Sequence, residues 1–339
     1  VGAYALYCNT TGGTNTAVGY EASKSATTGI RNTALGFQAL RSLTTASYNS
    51  GIGAGALYST TSGAYNTGVG FGALFGNTTG GYNSALGYNV LITNTTGTCN
   101  VAMGFSALHS NTTGCRNTII GTCASMSNTT GAYNIAVGAN ALKSNTTASY
   151  NSAIGASALY YTTTGANNTS VGVDSLHYNT TGANNTASGF NALRQNTTAN
   201  FNTAFGSCTL YANVTGAKNT GVGYLALAAN TCGNHNVGLG AFALGSTTTG
   251  SFNVAIGRAT SYSNTTGSYN SASGYAALKD NTTGSCNTAS GYRALRGNTT
   301  GSHNTASGMW ALRKNSTGGH NVAVGACALC ANTTANYNT

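Results

Sequence analysis

The stretch NTGVGFGALFGNTTGGY, residues 66–82, decides how this chain is read, because the same pattern begins again at Asn83 and has already run once from Asn49. Asn recurs every 17 residues from Asn15 to Asn338, twenty times, without insertion or deletion. The 339 residues are one short of twenty such periods (20 × 17 − 1). Numbering the places of the repeat 1 to 17 from Asn15, the consensus is N-T-A-V-G-x-x-A-L-x-x-N-T-T-G-x-Y. Place 5 is Gly throughout, from Gly2, Gly19, Gly36 and Gly53 to Gly325. Place 9 is Leu except at Ser23, Ser125 and Ser261. Place 4 is mostly Val, Ile or Leu.

Seventeen residues are too few for the common helical repeats, which need about 33 to 47. A Gly in every period and many β-branched residues also disfavour helix. The spacing predicts an all-β fold, a parallel β-solenoid with one coil per 17 residues, about 20 coils and no capping elements. Each coil is expected to hold a short strand at places 2 to 4, a bend at the Gly, a second short strand near places 8 to 10, and a Thr-Thr-Gly turn. Alternation puts places 2 and 4 on one side, so Thr16 and Val18 are expected inward and Ala17 outward. At strand spacing, twenty coils make a rod of roughly 95 Å.

Every place then becomes a column along the axis. Asn15, Asn32, Asn49 and their equivalents can hydrogen-bond amide to amide. Gly19, Gly36 and Gly53 mark a backbone conformation closed to residues with a Cβ. The chain has no Pro, as interior coils require. Residues 1–339 are expected to form a single uninterrupted array, either a segment of a longer one or a unit that stacks end to end, since both termini fall inside the repeat.

Charged residues are only 5% of the chain, far below the roughly 25% of an ordinary globular domain. The three acids are Glu21, Asp174 and Asp280. Their coil separations place them too far apart to work as a catalytic pair, so no enzyme is expected. Asp174, Ser175 and His177 lie close in sequence, but His177 occupies a surface column and reads as a solvated histidine. His303 and His320 share place 17 on successive coils; two imidazoles without a third ligand make no metal site. Neither metal nor cofactor is expected. The nine Cys are scattered, with Cys99–Cys115 and Cys327–Cys330 the pairs near enough to bridge.

Surface chemistry is richer. Fourteen place-12 residues head an N-x-S/T sequon: Asn9, Asn77, Asn94, Asn111, Asn128, Asn145, Asn179, Asn196, Asn213, Asn264, Asn281, Asn298, Asn315 and Asn332. They are candidate glycosylation sites, with turn chemistry as the alternative reason for Asn and Thr there. The adjoining Thr residues are candidates for O-linked sugars. Net charge is +10, and seven basic residues share place 10 with Tyr and Phe. Lys24, Arg41, Tyr58, Tyr160, Arg194, Arg296 and Arg313 are the candidate ligand-facing residues of that column. Place 17 adds a second line of Tyr, including Tyr48, Tyr65, Tyr82, Tyr133, Tyr150 and Tyr269. Aromatic columns beside basic groups suit sugars or polyanions, though stacked Tyr also stabilises neighbouring strands on its own. The cations are too sparse for nucleic acid, and the apolar runs too short for membrane insertion.

At Asn134–Gly138 (Asn-Ile-Ala-Val-Gly) and Asn253–Gly257 (Asn-Val-Ala-Ile-Gly) the chain resembles the head repeats of trimeric autotransporter adhesins, which are left-handed parallel β-rolls. It also resembles the Asn-Thr-Ala-x-Gly repeats of phage tail-fibre-like and bacterial surface proteins. The resemblance implies an extracellular or cell-surface adhesive or structural rod. The leading expectation is a non-enzymatic structural protein that builds an extracellular fibre or filament, glycosylated on its Asn-Thr-Thr turns. Its partners would be copies of itself, end to end or side by side. The alternative is an adhesin or phage-type fibre that binds surface glycans. A lesser one is an ice-binding solenoid, suggested by the two Thr columns at places 13 and 14.

Overall fold

The computed structural model describes Val1–Thr339 and is a parallel β-solenoid of 17-residue coils without any helix. The chain divides into two compact units, Val1–Asn168 and Thr169–Thr339. The first holds strands β1 (Thr16–Val18) to β9 (Ser152–Ile154), and the second β10 (Thr169–Val171) to β19 (Val322–Val324). Within each unit, every strand pairs in parallel with the next at a register of 17. Thr16 faces Thr33 and Ala17 faces Ala34 in the first unit; Thr288 faces Thr305 and Ala289 faces Ala306 in the second.

Three strand residues per coil are too few to hold a solenoid, and the axial bonding extends well beyond them. In the second coil, Gly36 and Gln38 donate backward to Val18 O and Tyr20 O, while Leu40 and Ser42 donate forward to Ala56 O and Tyr58 O. Tyr48 N–H donates to Ile30 O. Places 7, 9 and 17 adopt left-handed backbone in coil after coil, as at Gln38 (φ 55), Leu40 (φ 51) and Tyr48 (φ 62). Such conformers cost of order 1 kcal/mol or more each for residues with a Cβ. Here all three place an N–H along the axis, where it meets a carbonyl of the neighbouring coil. The second short strand expected at places 8 to 10 is therefore absent; a turn with left-handed flanks takes its place.

The inward–outward phase also differs from expectation. Every strand has its middle residue buried and its outer two more exposed: Ala17 and Ala34 lie inside, whereas Thr16 and Val18 face out. The interior is narrow. A Cβ added to Gly51 at place 3 would lie 3.1 Å from Leu40 Cγ and 3.2 Å from Ala56 O. Small residues at place 3 thus fit against the Leu column, and the core consists of Ala at places 3 and 8 with Leu at place 9. One such cluster is Ala289, Ala294, Leu295, Ala306, Ala311 and Leu312.

Two amide columns run along the coils, the one at place 1 unbroken and the one at place 12 interrupted at Ala26, Leu43, Thr60, Thr162 and Thr247. Place-1 Asn behaves as the spacing predicts: Asn83 Nδ2 donates to Asn66 Oδ1 at 3.1 Å, and Asn83 N–H to the same oxygen at 3.0 Å. A second column runs at place 12, where Asn94 Nδ2 donates to Asn77 Oδ1 and Asn111 Nδ2 to Asn94 Oδ1, both at 2.8 Å. The columns meet on the turn. Gly80 O accepts from Asn66 Nδ2 at 2.9 Å and from Asn77 Nδ2 at 3.0 Å. The place-5 Gly column keeps φ at, for example, +141 in Gly121, where an added Cβ would stand 2.4 Å from Gly138 O.

Candidate functional site: the aromatic and cationic columns

The carbohydrate acceptors proposed from the sequons need correction. Asn77, Asn94, Asn111, Asn128, Asn145, Asn179, Asn196, Asn213, Asn264, Asn281, Asn298 and Asn315 are buried, with at most 1% of their surface exposed. Their Nδ2 atoms, the nitrogens a glycan would occupy, donate to the place-15 carbonyls, as Asn196 does to Ala199 O. A sugar there is incompatible with the folded coil. Of the fourteen, only Asn9 and Asn332 have side chains that reach solvent. The place-13 Thr hydroxyls are also engaged, Thr112 Oγ1 donating to Thr129 O at 3.1 Å; place 14 is the exposed Thr column.

The sequence candidates at place 10 fall into separate groups. Lys24 and Arg41 share one carboxylate: Lys24 Nζ lies 2.7 Å from Glu21 Oε1 and Arg41 Nε 2.6 Å from Glu21 Oε2. Gln38 Nε2 adds a third donor at 2.9 Å. Hydrogen bonds from Lys24, Arg41 and Gln38 pull the Glu21 carboxyl from its ordinary 4.5 down to about 2, and the same carboxylate holds the Lys24 and Arg41 values up. Arg41 also donates to Tyr58 Oη at 3.2 Å, and Tyr58 stacks on Phe75 with ring centres 4.7 Å apart. Lys143 Nζ stands 3.2 Å from Tyr160 Oη. In the second unit Arg194 lies over Tyr178, Arg313 over Trp310, and Arg296 Nε is 3.8 Å from Asp280. These are local cation–aromatic pairs.

Place 17 forms the expected stacks, Tyr48–Tyr65–Tyr82 at 4.8 and 4.9 Å and His303–His320–Tyr337 at 4.8 and 5.0 Å. A third aromatic column, at place 6, escaped sequence reasoning. Phe71–Tyr88–Phe105 stack at 5.2 and 5.3 Å, and Tyr275–Tyr292 at 5.5 Å. Its signal was present in the recurrence of Tyr and Phe directly after the invariant Gly. In the first unit a hollow of about 250 Å³ opens where Gly55 and Gly72 leave place 7 without side chains, walled by Phe37, Phe71, Phe75 and Ile92.

Asp174 and His177 do pair, Nδ1 to Oδ1 at 3.2 Å, and the imidazole is only 14% exposed, so it is not the solvated histidine expected. Ser175 turns the other way. Its Oγ is buried against Ser170 Oγ and donates to Gly172 O, and so it does not serve as a nucleophile beside His177. All nine Cys are free thiols, including the two pairs near enough to bridge.

In the second unit, residues from three neighbouring columns come together. Arg258 and Tyr275 (place 6), Arg293 (place 7), and Tyr262, Lys279 and Arg296 (place 10) line a groove of about 270 Å³. Arg296 was among the sequence candidates; Arg258 and Arg293 were not, because they occupy columns that are basic nowhere else. Comparison with protein-family models and with characterised proteins finds no match to this chain.

Proposed function

We propose that this chain is a non-enzymatic structural protein that associates with copies of itself into an extracellular or cell-surface fibre. One observation carries the reading. The outward face of the strand ladder is an uncharged stripe of place-2 Thr, Ser, Val or Ile and place-4 Val, Ile, Leu, Met or Phe, with Ser188, Ser273, Ser290 and Ser307 as the place-4 departures. Ile120, Ile154, Phe205 and Ile256 are 39 to 45% exposed on it. Exposed apolar surface that recurs in register at strand spacing suits a partner of the same period, and a second copy has that period.

Electron microscopy of the purified chain tests this. Elongated or bundled particles are expected, and Ile120→Glu with Ile154→Glu should disperse the bundles while the far-ultraviolet circular dichroism stays that of the unmodified chain. Discrete particles of one chain at all concentrations would overturn the reading. A second reading, glycan binding, is favoured by the cation–aromatic pairs at place 10, as Arg41 with Tyr58, at place 6, as Arg258 with Tyr275, and at place 17, as Arg31 with Tyr48. The exposed place-14 Thr residues, with Asn9 and Asn332, remain the positions open to attached sugar.

A further inference from the structure

The Arg258–Arg296 groove gathers cations from successive coils, and a single carboxylate, Asp280, stands beside it. Four cations, Arg258, Lys279, Arg293 and Arg296, surround about 270 Å³, and no Asp or Glu lines it. Asp280 stands in ion-pair range of Arg296 Nε at 3.8 Å, too long for a hydrogen bond, and offsets one of the four cations. The contrast is the first unit, where Glu21 neutralises Lys24 and Arg41 at 2.7 and 2.6 Å. Four cations beside one carboxylate leave the groove with net positive charge, and an anion would stabilise the arrangement. Two guanidinium nitrogens, Arg293 Nε and Arg296 Nε, are moreover buried without a hydrogen-bond partner. A buried donor with nothing to donate to is costly, and an oxyanion in the groove would relieve it.

The aromatic walls narrow the ligand. Tyr275 and Tyr292 stack on each other at 5.5 Å, with Arg293 5.1 Å from the Tyr292 ring centre and 6.0 Å from that of Tyr275. The sides they turn to each other are covered, and Arg293 lies over both rings, which leaves less face for the base stacking that single-stranded nucleic acid needs. What remains on offer are ring edges and phenol hydroxyls; Tyr275 Oη already lies 3.3 Å from an Arg258 guanidinium nitrogen. Guanidinium groups fit planar and tetrahedral oxyanions, and phenols fit sugar hydroxyls.

We propose that this groove binds an acidic glycan, with its sulfate or carboxylate held between Arg293 and Arg296 and its hydroxyls by Tyr275 and Tyr262. The proposal rests on the glycan-binding reading and gives it a place and a ligand class. Trp310, the one Trp of the chain, lies outside the groove, 6.4 Å from the Tyr292 ring that stacks on the lining Tyr275, and its emission should respond when that stack is disturbed.

The test titrates the full chain with a sulfated oligosaccharide, its desulfated counterpart and a single-stranded oligonucleotide of matched charge, read by calorimetry and Trp310 emission. The sulfated sugar should bind at least about tenfold tighter than either of the others, and Arg293→Gln with Arg296→Gln should lower its affinity at least about tenfold, as the loss of charge-assisted hydrogen bonds implies. Lys143→Gln, in the other unit, should leave binding unchanged. Lys279→Gln provides a second variant at an accessible place should the double variant unfold, and severalfold weakening is expected of it. Unchanged affinity in a folded groove variant overturns the site. If that binding is then abolished by substitutions at Lys24 and Arg41, glycan binding stands and only its location here fails. No binding of any sugar overturns both, and equal affinity for the oligonucleotide overturns the ligand class.

Discussion

Thr247 occupies the inner place-12 column that is Asn in the coil before and the coil after. Its hydroxyl is buried without a partner, and so is Asn230 Oδ1, which in a continuous column would accept the next amide. Asn264 Nδ2 correspondingly donates to Gly267 O and not to a place-12 neighbour. Thr247→Asn should restore both links and stabilise the second unit by about 1–3 kcal/mol, the range for satisfying buried polar groups, measured by denaturant unfolding. A destabilised variant would mean that the column cannot close there. Glu21 gives the pH counterpart. Because its folded value is lowered to about 2, its contribution is fully present above the ordinary 4.5 and lost as pH falls toward 2. Melting temperature should drop across that window in the unmodified chain and less steeply in Glu21→Gln. Parallel curves would show that the Lys24–Glu21–Arg41 cluster does not contribute.

At the scale of the strand, period and phase were legible to different degrees. Position 17 to 17, the invariant Asn and the left-handed Gly are constraints of the backbone, so they show in residue identity. Which face points inward depended on an assumption that the larger apolar residue is buried. The interior is too narrow for that: the Leu of place 9 already fills it, and place 3 takes what space remains. Ala at place 3 therefore signals a confined interior, where Ala17 was expected to face outward. The same gap explains the sequons, since an Asn-Thr-Thr turn reads alike whether its amide faces solvent or the coil axis. The site was half legible: Arg296 stood in a conspicuous column, but its neighbours Arg258 and Arg293 are brought to it by coil stacking, which no single column displays. A paired substitution separates the two phases. Ala289→Val, at a buried place flanked by Ala272 and Ala306, should cost about 1–3 kcal/mol by overpacking, whereas Ser290→Val on the exposed side should stay within about 0.5 kcal/mol. Chemical denaturation of both variants decides it; equal effects would contradict the observed phase.

Charge is distributed over the whole molecule in a way that bears on how copies meet. The net +10 comes from 13 basic and 3 acidic residues, and none of them stands at place 2 or place 4. The uncharged stripe is thus an apolar surface on which two copies can approach without bringing cation against cation, while the columns at places 6, 10 and 17 carry most of the repulsion. Self-association through the stripe is then opposed by net charge at low ionic strength and released by screening, because the Debye length shrinks from about 30 Å at 0.01 M to about 3 Å at 1 M salt. Sedimentation velocity across that range should show assemblies growing with added salt, and apolar contact should further make them weaken on cooling. An assembly held instead by ion pairs between columns would shrink as salt is added, and that opposite trend would move the interface off the stripe and onto the charged columns.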